Sequence, residues 1–157
     1  MQLGVRQTRG GSIVSIVMKK CSAVMVFNSS GELAFQMRSA TDDRYPLRWD
    51  FAAGGHIDEG ETPEEGAKRE MKEELGIESP LEFVMHHHHP GGSDPDDEPD
   101  DLAIFKTTYN GPFNPDPKEV AEVRFFPIDE IKEMINSNPN AFHPEVVYFF
   151  KNHGDKF

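Results

Sequence analysis

The chain has 157 residues, a formal net charge of −12 and one cysteine, Cys21, a length that fits a single domain over residues 1–157 with a buried core. The negative charge, with no basic stripe to offset it, excludes nucleic acid and anionic membranes as partners. A lone cysteine excludes an internal disulfide, and with neither a signal peptide nor an apolar run of membrane-spanning length we expect a cytoplasmic protein.

The first third of the chain reads as strands. Residues 1–10 are typical of a loose or strand-pairing segment, and β-branched or apolar runs predict strands at residues 12–18, 23–27, 32–37 and 49–53. The sequence from Asn28 to Gly31 predicts the turn of a hairpin between the second and third of these strands.

A helix is predicted to start after residue 62. Thr62 suits the N-cap, Pro63 the first helical position and Glu65 the closing position of a capping box, while Gly76 ends the helix. At about 100° per residue, three glutamates share one face of this helix. These are Glu70, Glu73 and Glu74. An apolar stripe able to pack on a sheet adjoins them, formed by Ala67, Met71 and Leu75.

Clustered glutamates repel one another unless cations occupy the site between them. Hard carboxylate oxygens suit Mg²⁺, for which Mn²⁺ can substitute. The alternative is a solvated acidic helix face, the usual meaning of a run of charges.

After this helix, strands are predicted near residues 81–87, 102–109 and 123–126, and helices near residues 129–136 and 144–152. Residues 91–101 are rich in acids, glycine and proline, which predicts a mobile surface loop. The four residues before this loop region, His86 to His89, alternate between opposite faces of an extended strand, so they cannot converge on one metal ion without a turn. We favour a strand end with solvent-facing imidazoles over a metal site.

The stretch from Gly55 to Ile77, GHIDEGETPEEGAKREMKEELGI, resembles the Nudix box G-x5-E-x7-R-E-U-x-E-E-x-G-U at every fixed position. This resemblance to the Nudix hydrolase superfamily implies an α/β (α+β) Nudix fold, a mixed β-sheet sandwiched between α-helices, over essentially the whole chain.

Residues 36–46 and 49–56 look like those of Nudix hydrolases related to isopentenyl-diphosphate isomerase. The isomerase itself has a catalytic cysteine in a Cys-Ser-His stretch and a later Trp-Gly-Glu stretch, both of which this chain lacks there. The chain also departs from the coenzyme A diphosphatase signature, because Arg48 replaces a glycine and Ala52-Ala53 replaces Phe-Pro.

By resemblance, the metal ligands would be the Gly54 carbonyl, Glu70, Glu73 and Glu74. Arg69 would orient Glu73 through a charged hydrogen bond, and we interpret Glu61 as a buttress.

A further carboxylate, as metal ligand or base, usually comes from a later loop in this family. Of the two candidates we favour Glu119 over Glu122, although both could simply face solvent. Arg38 and Arg44 would contact phosphates, with surface ion pairing as the alternative.

These residues predict a Mg²⁺-dependent hydrolase that cleaves a nucleoside diphosphate linked to another moiety, X, such as a nucleotide sugar, a dinucleotide or a nucleoside di- or triphosphate. The partner is then a small diphosphate substrate, and a homodimer is left open. The alternatives are a nucleotide-sensing Nudix module without turnover and, less favoured, an isopentenyl-diphosphate isomerase.

Overall fold

The computed structural model describes the backbone of residues 3–7 and 13–17, and the backbone and side chains of residues 18–157. Strand β1, Leu3–Gln7, pairs antiparallel with strand β2, Ile13–Val17. This pairing agrees with the strand-pairing interpretation of the first residues. Residues 1, 2, 8–10 and Ser12, which belonged to those expectations, lie outside the described residues.

Seven further strands form one mixed sheet, and its central strand is β3, Lys19–Phe27. The others are β4 (Leu33–Arg38), β5 (Trp49–Phe51), β6 (Ala53–His56), β7 (Glu82–His89), β8 (Asp100–Thr108) and β9 (Val120–Phe126). The strand order is β5-β4-β3-β8-β7, with β6 paired to β3 and β9 paired to β4. Strands β3 and β8 pair in parallel, whereas the remaining pairings of the described sheet are antiparallel.

Helices cover both faces of this sheet. Helix α1, Pro63–Leu75, packs on one face, and helices α2, Ile128–Ser137, and α3, Pro144–His153, pack on the other. Successive residues of β3 alternate between the two layers, since Val24 belongs to the core under α1 and Met25 to the core under α2 and α3. The expected sandwich of a mixed sheet between helices is confirmed. None of the described helices is both long and apolar enough to cross a membrane.

Helix α1 begins and ends as its sequence predicts. The Thr62 hydroxyl oxygen accepts a hydrogen bond from the Glu65 backbone N–H at 3.2 Å, and Gly76 ends the helix in the left-handed region with φ of 66°. The apolar stripe is buried against the sheet. The adjoining face carries the glutamates, of which Glu74 is buried with the stripe and Glu73 is exposed.

Gly76 also lies against another part of the chain. A Cβ atom at this position would be 2.5 Å from the Asn114 carbonyl oxygen. We expect Gly76→Ala to lower the free energy of unfolding by roughly 2 to 3 kcal/mol, because left-handed strain adds to this collision. Gly60 has a φ of 84°, and a Cβ atom there would have no neighbour within 4 Å. It is the matched control and should lose about 1 kcal/mol on replacement by alanine. Urea unfolding of the two variants measures the difference, and equal losses would show that the Asn114 contact relaxes freely.

The strand predicted over residues 23–27 begins earlier, at Lys19, because its first residues already pair with β8. Two further predicted strands differ from the structure. The strand expected over residues 49–53 is divided at Ala52, because β5 pairs with β4 while β6 crosses to pair with β3. Strand β9 begins at Val120 rather than near Val123, since Val120 already pairs with Arg38 of β4. Both differences arise from pairing with distant strands.

Candidate active site

Arg69 of α1 forms the best-connected ion-pair cluster on the glutamate side of the helix. Its Nε lies 2.8 Å from Glu61 Oε2 and its Nη2 3.1 Å from Glu61 Oε1, and Nη2 also donates to the His56 carbonyl oxygen at 3.0 Å. Its Nη1 donates to Glu70 Oε1 at 2.9 Å and to Glu73 Oε2 at 3.2 Å. Hydrogen bonding to Arg69 lowers the pKa of Glu61. Arg69 thus links the loop before α1 to two glutamates, one more than the sequence predicted.

Glu74 is the most enclosed carboxylate of the helix, with 7% of its surface exposed. Its Oε2 accepts a 2.7 Å hydrogen bond from Gln36 Nε2, and the Gly54 N–H approaches both of its oxygens at 3.3 and 3.4 Å. Burial raises the pKa of Glu74 well above the usual range, and the charge of Glu70 adds to this effect. Burial likewise raises the pKa of Glu70. Protonation or a bound cation would therefore stabilise this pair.

Glu70 is pressed against β6. A Cβ atom on Gly55 would lie 2.5 Å from Glu70 Oε1, so only glycine leaves room for this carboxylate beside the strand. Glu73, in contrast, has a side chain that is 53% exposed and is held by Arg69. Within the described residues, three or more carboxylate, imidazole or thiolate groups do not converge on one point as a cation site. The buried pair of Glu70 and Glu74 nevertheless fits a hard divalent cation, because its oxygens carry an excess of negative charge.

A cavity of about 600 Å³ opens beside Glu74 and Gly54. Arg38 and Arg44 both line it, and both are already paired. Arg38 donates to Asp50 Oδ2 at 2.8 Å and to Asp42 Oδ2 at 3.0 Å, while Arg44 lies 2.9 Å from Glu98 Oε1. The structure thus contains the ion pairs that were the alternative to phosphate contacts, and it places these pairs on the wall of the cavity.

The two loop carboxylates occupy different positions. Glu119 lines the cavity from the turn before β9, where its backbone carbonyl accepts a hydrogen bond from Ser39 at 3.2 Å. Glu122 lies within β9 opposite Met37, pairs with Arg124 and does not belong to the cavity lining. Glu119 therefore lies at the cavity and Glu122 does not, and a role for Glu119 as ligand or base stays a prediction.

Residues 19–146, most of the chain, match the family described as the NUDIX domain. The chain belongs to the Nudix family. An uncharacterized Nudix hydrolase of Pseudomonas aeruginosa is 35% identical over 105 residues, and another of Listeria monocytogenes is 33% identical over 129 residues. These alignments cover 65% and 82% of this chain, and 59% and 72% of the respective relatives.

The branch of the family also agrees with the sequence. An isopentenyl-diphosphate Delta-isomerase of Nocardia farcinica is 29% identical over 125 residues, which cover 78% of this chain and 71% of the isomerase. Among solved structures, a MutT protein from Methanosarcina mazei matches with a TM-score of 0.73 at 17% identity, over 88% of this chain and 94% of that protein. This structural match confirms the Nudix fold.

The histidine run of this Nudix chain is only half exposed, so the expectation of solvent-facing imidazoles is wrong for two of its members. His86 and His88 face solvent, but His87 and His89 are 3% and 2% exposed. The pleat of β7 turns these two rings towards α3, where they pack on Tyr148. Burial lowers the pKa of His87 to about 4. The run contributes to the core beneath α3.

The acidic loop after β7 is also more ordered than its composition predicted. Asp97 is buried, and its carboxylate lies 2.6 Å from His89 Nε2. Glu98 pairs with Arg44 and with Lys19. Charge complementarity to these partners explains why part of this acid-rich segment lines the cavity.

Sequence reasoning missed several residues of the cavity, including Gln36 and Asp50. Each is a single polar residue inside an apolar strand, Gln36 between Phe35 and Met37 and Asp50 between Trp49 and Phe51. An isolated polar residue in an apolar run is a usable signal, because buried polar groups require partners. Gln36 donates a hydrogen bond to Glu74, and Asp50 accepts one from Arg38.

Proposed function

We propose that this protein is a Mg²⁺-dependent hydrolase that cleaves the diphosphate linkage of a nucleoside diphosphate joined to another moiety, X. One observation carries the proposal: the buried Glu74 carboxyl group lines an acidic cavity, and partly buried Glu70 packs against Gly55 of the cavity wall. A diphosphate is itself anionic, so it can approach these carboxylates only together with a cation.

Residues of the Nudix helix and of β6 would have the following roles. Glu70, Glu73 and Glu74, with the Gly54 carbonyl, would hold the metal, and Arg69 would keep two of these carboxylates in place. When bound, Mg²⁺ supplies positive charge that screens the diphosphate and favours attack by water. Exposed Glu73 is restrained by one hydrogen bond to Arg69, so its side chain could reorient when a cation binds.

Arg38 and Arg44 would contact the phosphates by keeping part of their ion pairing and adding phosphate oxygens. An arginine has five N–H donors, and Arg38 directs one to the Arg44 carbonyl and two to carboxylates. Arg44 is the more available of the two, because it lies at the cavity rim with one carboxylate partner, Glu98, among the described residues.

We expect Glu119 to act as the further ligand or base. Glu119→Gln should then lower the rate by at least ~10-fold with little change in melting temperature, because it removes a charge without removing a packed group. Glu122→Gln is the matched control and should have much less effect, since its side chain pairs with Arg124 outside the cavity. Initial rates at several pH values measure both variants, and the pH profile should shift only for Glu119→Gln. Near-wild-type rates in both variants would transfer the base function to the helix, with Glu73 as the leading candidate.

The test of the proposed function is a phosphate-release screen with Mg²⁺ over dinucleotides, nucleotide sugars, nucleoside di- and triphosphates and coenzyme A. Release of a phosphate-containing product from one of these classes supports the proposal. Tight nucleotide binding without any product across the whole screen would instead favour the sensor function.

The isomerase reaction is tested alongside this screen, with isopentenyl diphosphate as substrate. One contact favours it: the Cys21 sulfur lies 3.5 Å from His56 Nδ1 in the cavity. Burial raises the pKa of this thiol, however, which keeps it protonated and weakens it as a nucleophile or base. We therefore place hydrolysis first.

A further inference from the structure

A second carboxyl pair lies in the cavity, away from the Nudix helix. Asp100 begins β8, and Glu145 lies in the first turn of α3. Glu145 is 9% exposed, and both residues line the cavity. Glu145 Oε1 and Asp100 Oδ1 are buried and have no hydrogen-bond partner among the described residues. Buried carboxylate oxygens without a hydrogen-bond donor are unfavourable. This pair therefore requires a hydrogen-bond donor that the described residues do not supply.

Burial raises the pKa of both carboxyl groups, and the charge of Asp100 raises that of Glu145 further. Protonation of the pair is therefore favoured when no ligand is bound. The salt bridges of the described residues supply no cationic partner to either carboxyl group.

The cations of the cavity are engaged elsewhere. Arg38 is paired with Asp42 and Asp50, and Lys19 and Arg44 both pair with Glu98. A fourth, Lys118, is exposed in the turn that carries Glu119. The imidazole closest in sequence to the pair, His143, uses Nδ1 to accept a hydrogen bond from the Glu145 backbone N–H, and burial lowers its pKa, which favours the neutral ring.

The pair is positioned to meet the part of a substrate that lies beyond its diphosphate. Strand β3 lies in the sheet between β6, against whose Gly55 Glu70 packs, and β8, which begins at Asp100. Cys21 of β3 pairs with β6 on one side and β8 on the other and lines the cavity between them. With the diphosphate beside Glu70 and Glu74, the moiety X would extend past Cys21 towards Asp100 and Glu145. This step rests on the proposed function, because that function sets the position of the diphosphate.

We propose that Asp100 and Glu145 form a subsite for a positively charged amine on X. An ammonium group has three N–H donors and one positive charge, so it can satisfy both orphan oxygens and take the place of a proton on the pair. A hydroxyl group donates one hydrogen bond and leaves the charge of the pair uncompensated. A carboxylate or phosphate on X would be repelled. The substrate class is therefore a nucleoside diphosphate ester of an amino alcohol or a similar aminated compound.

The experiment compares two probes that differ mainly in this group, cytidine diphosphate joined to ethanolamine and cytidine diphosphate joined to glycerol. Calorimetry with Ca²⁺ in place of Mg²⁺ measures binding while limiting turnover. We expect the full-length protein to bind the ethanolamine compound at least ~10-fold more tightly. Glu145→Gln and Asp100→Asn should each reduce this preference to less than ~3-fold, mainly by weakening the ethanolamine compound.

Glu98→Gln is the matched control, because it removes one charge from the same cavity but from a carboxylate that already has two cationic partners. It should keep the preference. Melting temperatures identify any variant that fails to fold, and the comparison of the two probes on the wild-type protein does not depend on the variants.

Equal affinities of the wild-type protein for the two probes, or no binding of the ethanolamine compound, would overturn the subsite. An unchanged preference in folded Glu145→Gln and Asp100→Asn would overturn it as well. The same samples with Mg²⁺ separate the two proposals. Tighter binding of the ethanolamine compound without product release supports the subsite and argues against hydrolysis. Product release with equal binding of the two compounds supports hydrolysis and argues against the subsite.

Discussion

Replacing Glu74 with glutamine should lower turnover by at least ~10²-fold while the fold remains. The substitution preserves side-chain size and helix propensity but removes a charge from the buried pair with Glu70. The carboxylate of Glu74 faces two N–H donors, Gln36 Nε2 and the Gly54 N–H. The glutamine amide has one oxygen acceptor and one NH2 group, so its NH2 group would face a donor. Steady-state kinetics with Mg²⁺ measure the loss, and circular dichroism checks the fold.

The control for this variant is Glu64→Gln. Glu64 belongs to the same helix, but its side chain is 51% exposed and it pairs at 3.8 Å with Lys68, so its loss should leave turnover unchanged. If Glu74→Gln were as active as the wild type, the Nudix box would not be the catalytic site of this protein.

Removal of divalent metal should abolish activity. The Glu70 and Glu74 carboxylates repel both each other and a diphosphate, so a chelator leaves the substrate facing uncompensated negative charge. Activity should return on addition of Mg²⁺ or Mn²⁺, and Ca²⁺ should bind while supporting little turnover. Initial rates before and after chelation, followed by titration with each metal, measure this dependence.

The control for chelation is the fold itself, because apolar side chains form the two described cores. The melting temperature should therefore change little in chelator while the rate falls. Full activity in excess chelator would contradict a metal-dependent mechanism and with it the roles proposed for Glu70, Glu73 and Glu74.

The features that the sequence predicted well are local. The limits of α1 follow from Thr62, Pro63 and Gly76, whose conformational preferences act within one or two turns of the chain. The Nudix box gave the family and hence the layers of the fold. Helical periodicity put Glu70, Glu73 and Glu74 on one face of α1, but it did not indicate that Glu74 is buried while Glu73 is exposed. For these features the relevant distances are short along the chain.

The features that the sequence did not predict depend on contacts between distant segments. Nothing near His87 indicates that α3, about sixty residues later, will cover its ring and reverse the expectation of exposure. The pairing of Asp100 with Glu145 likewise needs β8 and α3 to meet at one end of the cavity. The expectation of a mobile acidic loop rests on its composition, which contains no information about the arginine, lysine and histidine that bind it.

The parallel pairing of β3 with β8 has a consequence for the order in which the protein can fold. One edge of β3 pairs with β4 and β6, which follow it in sequence before α1. Its other edge pairs with β8, about 80 residues later, and closing this long loop costs conformational entropy. The Nudix helix lies within this loop. On the ribosome, a growing chain can therefore form the carboxylate face of α1 long before β8 brings Asp100 and the far wall of the cavity to it. The side of the cavity that holds Glu74 and the side that holds Asp100 can therefore form at different times during synthesis.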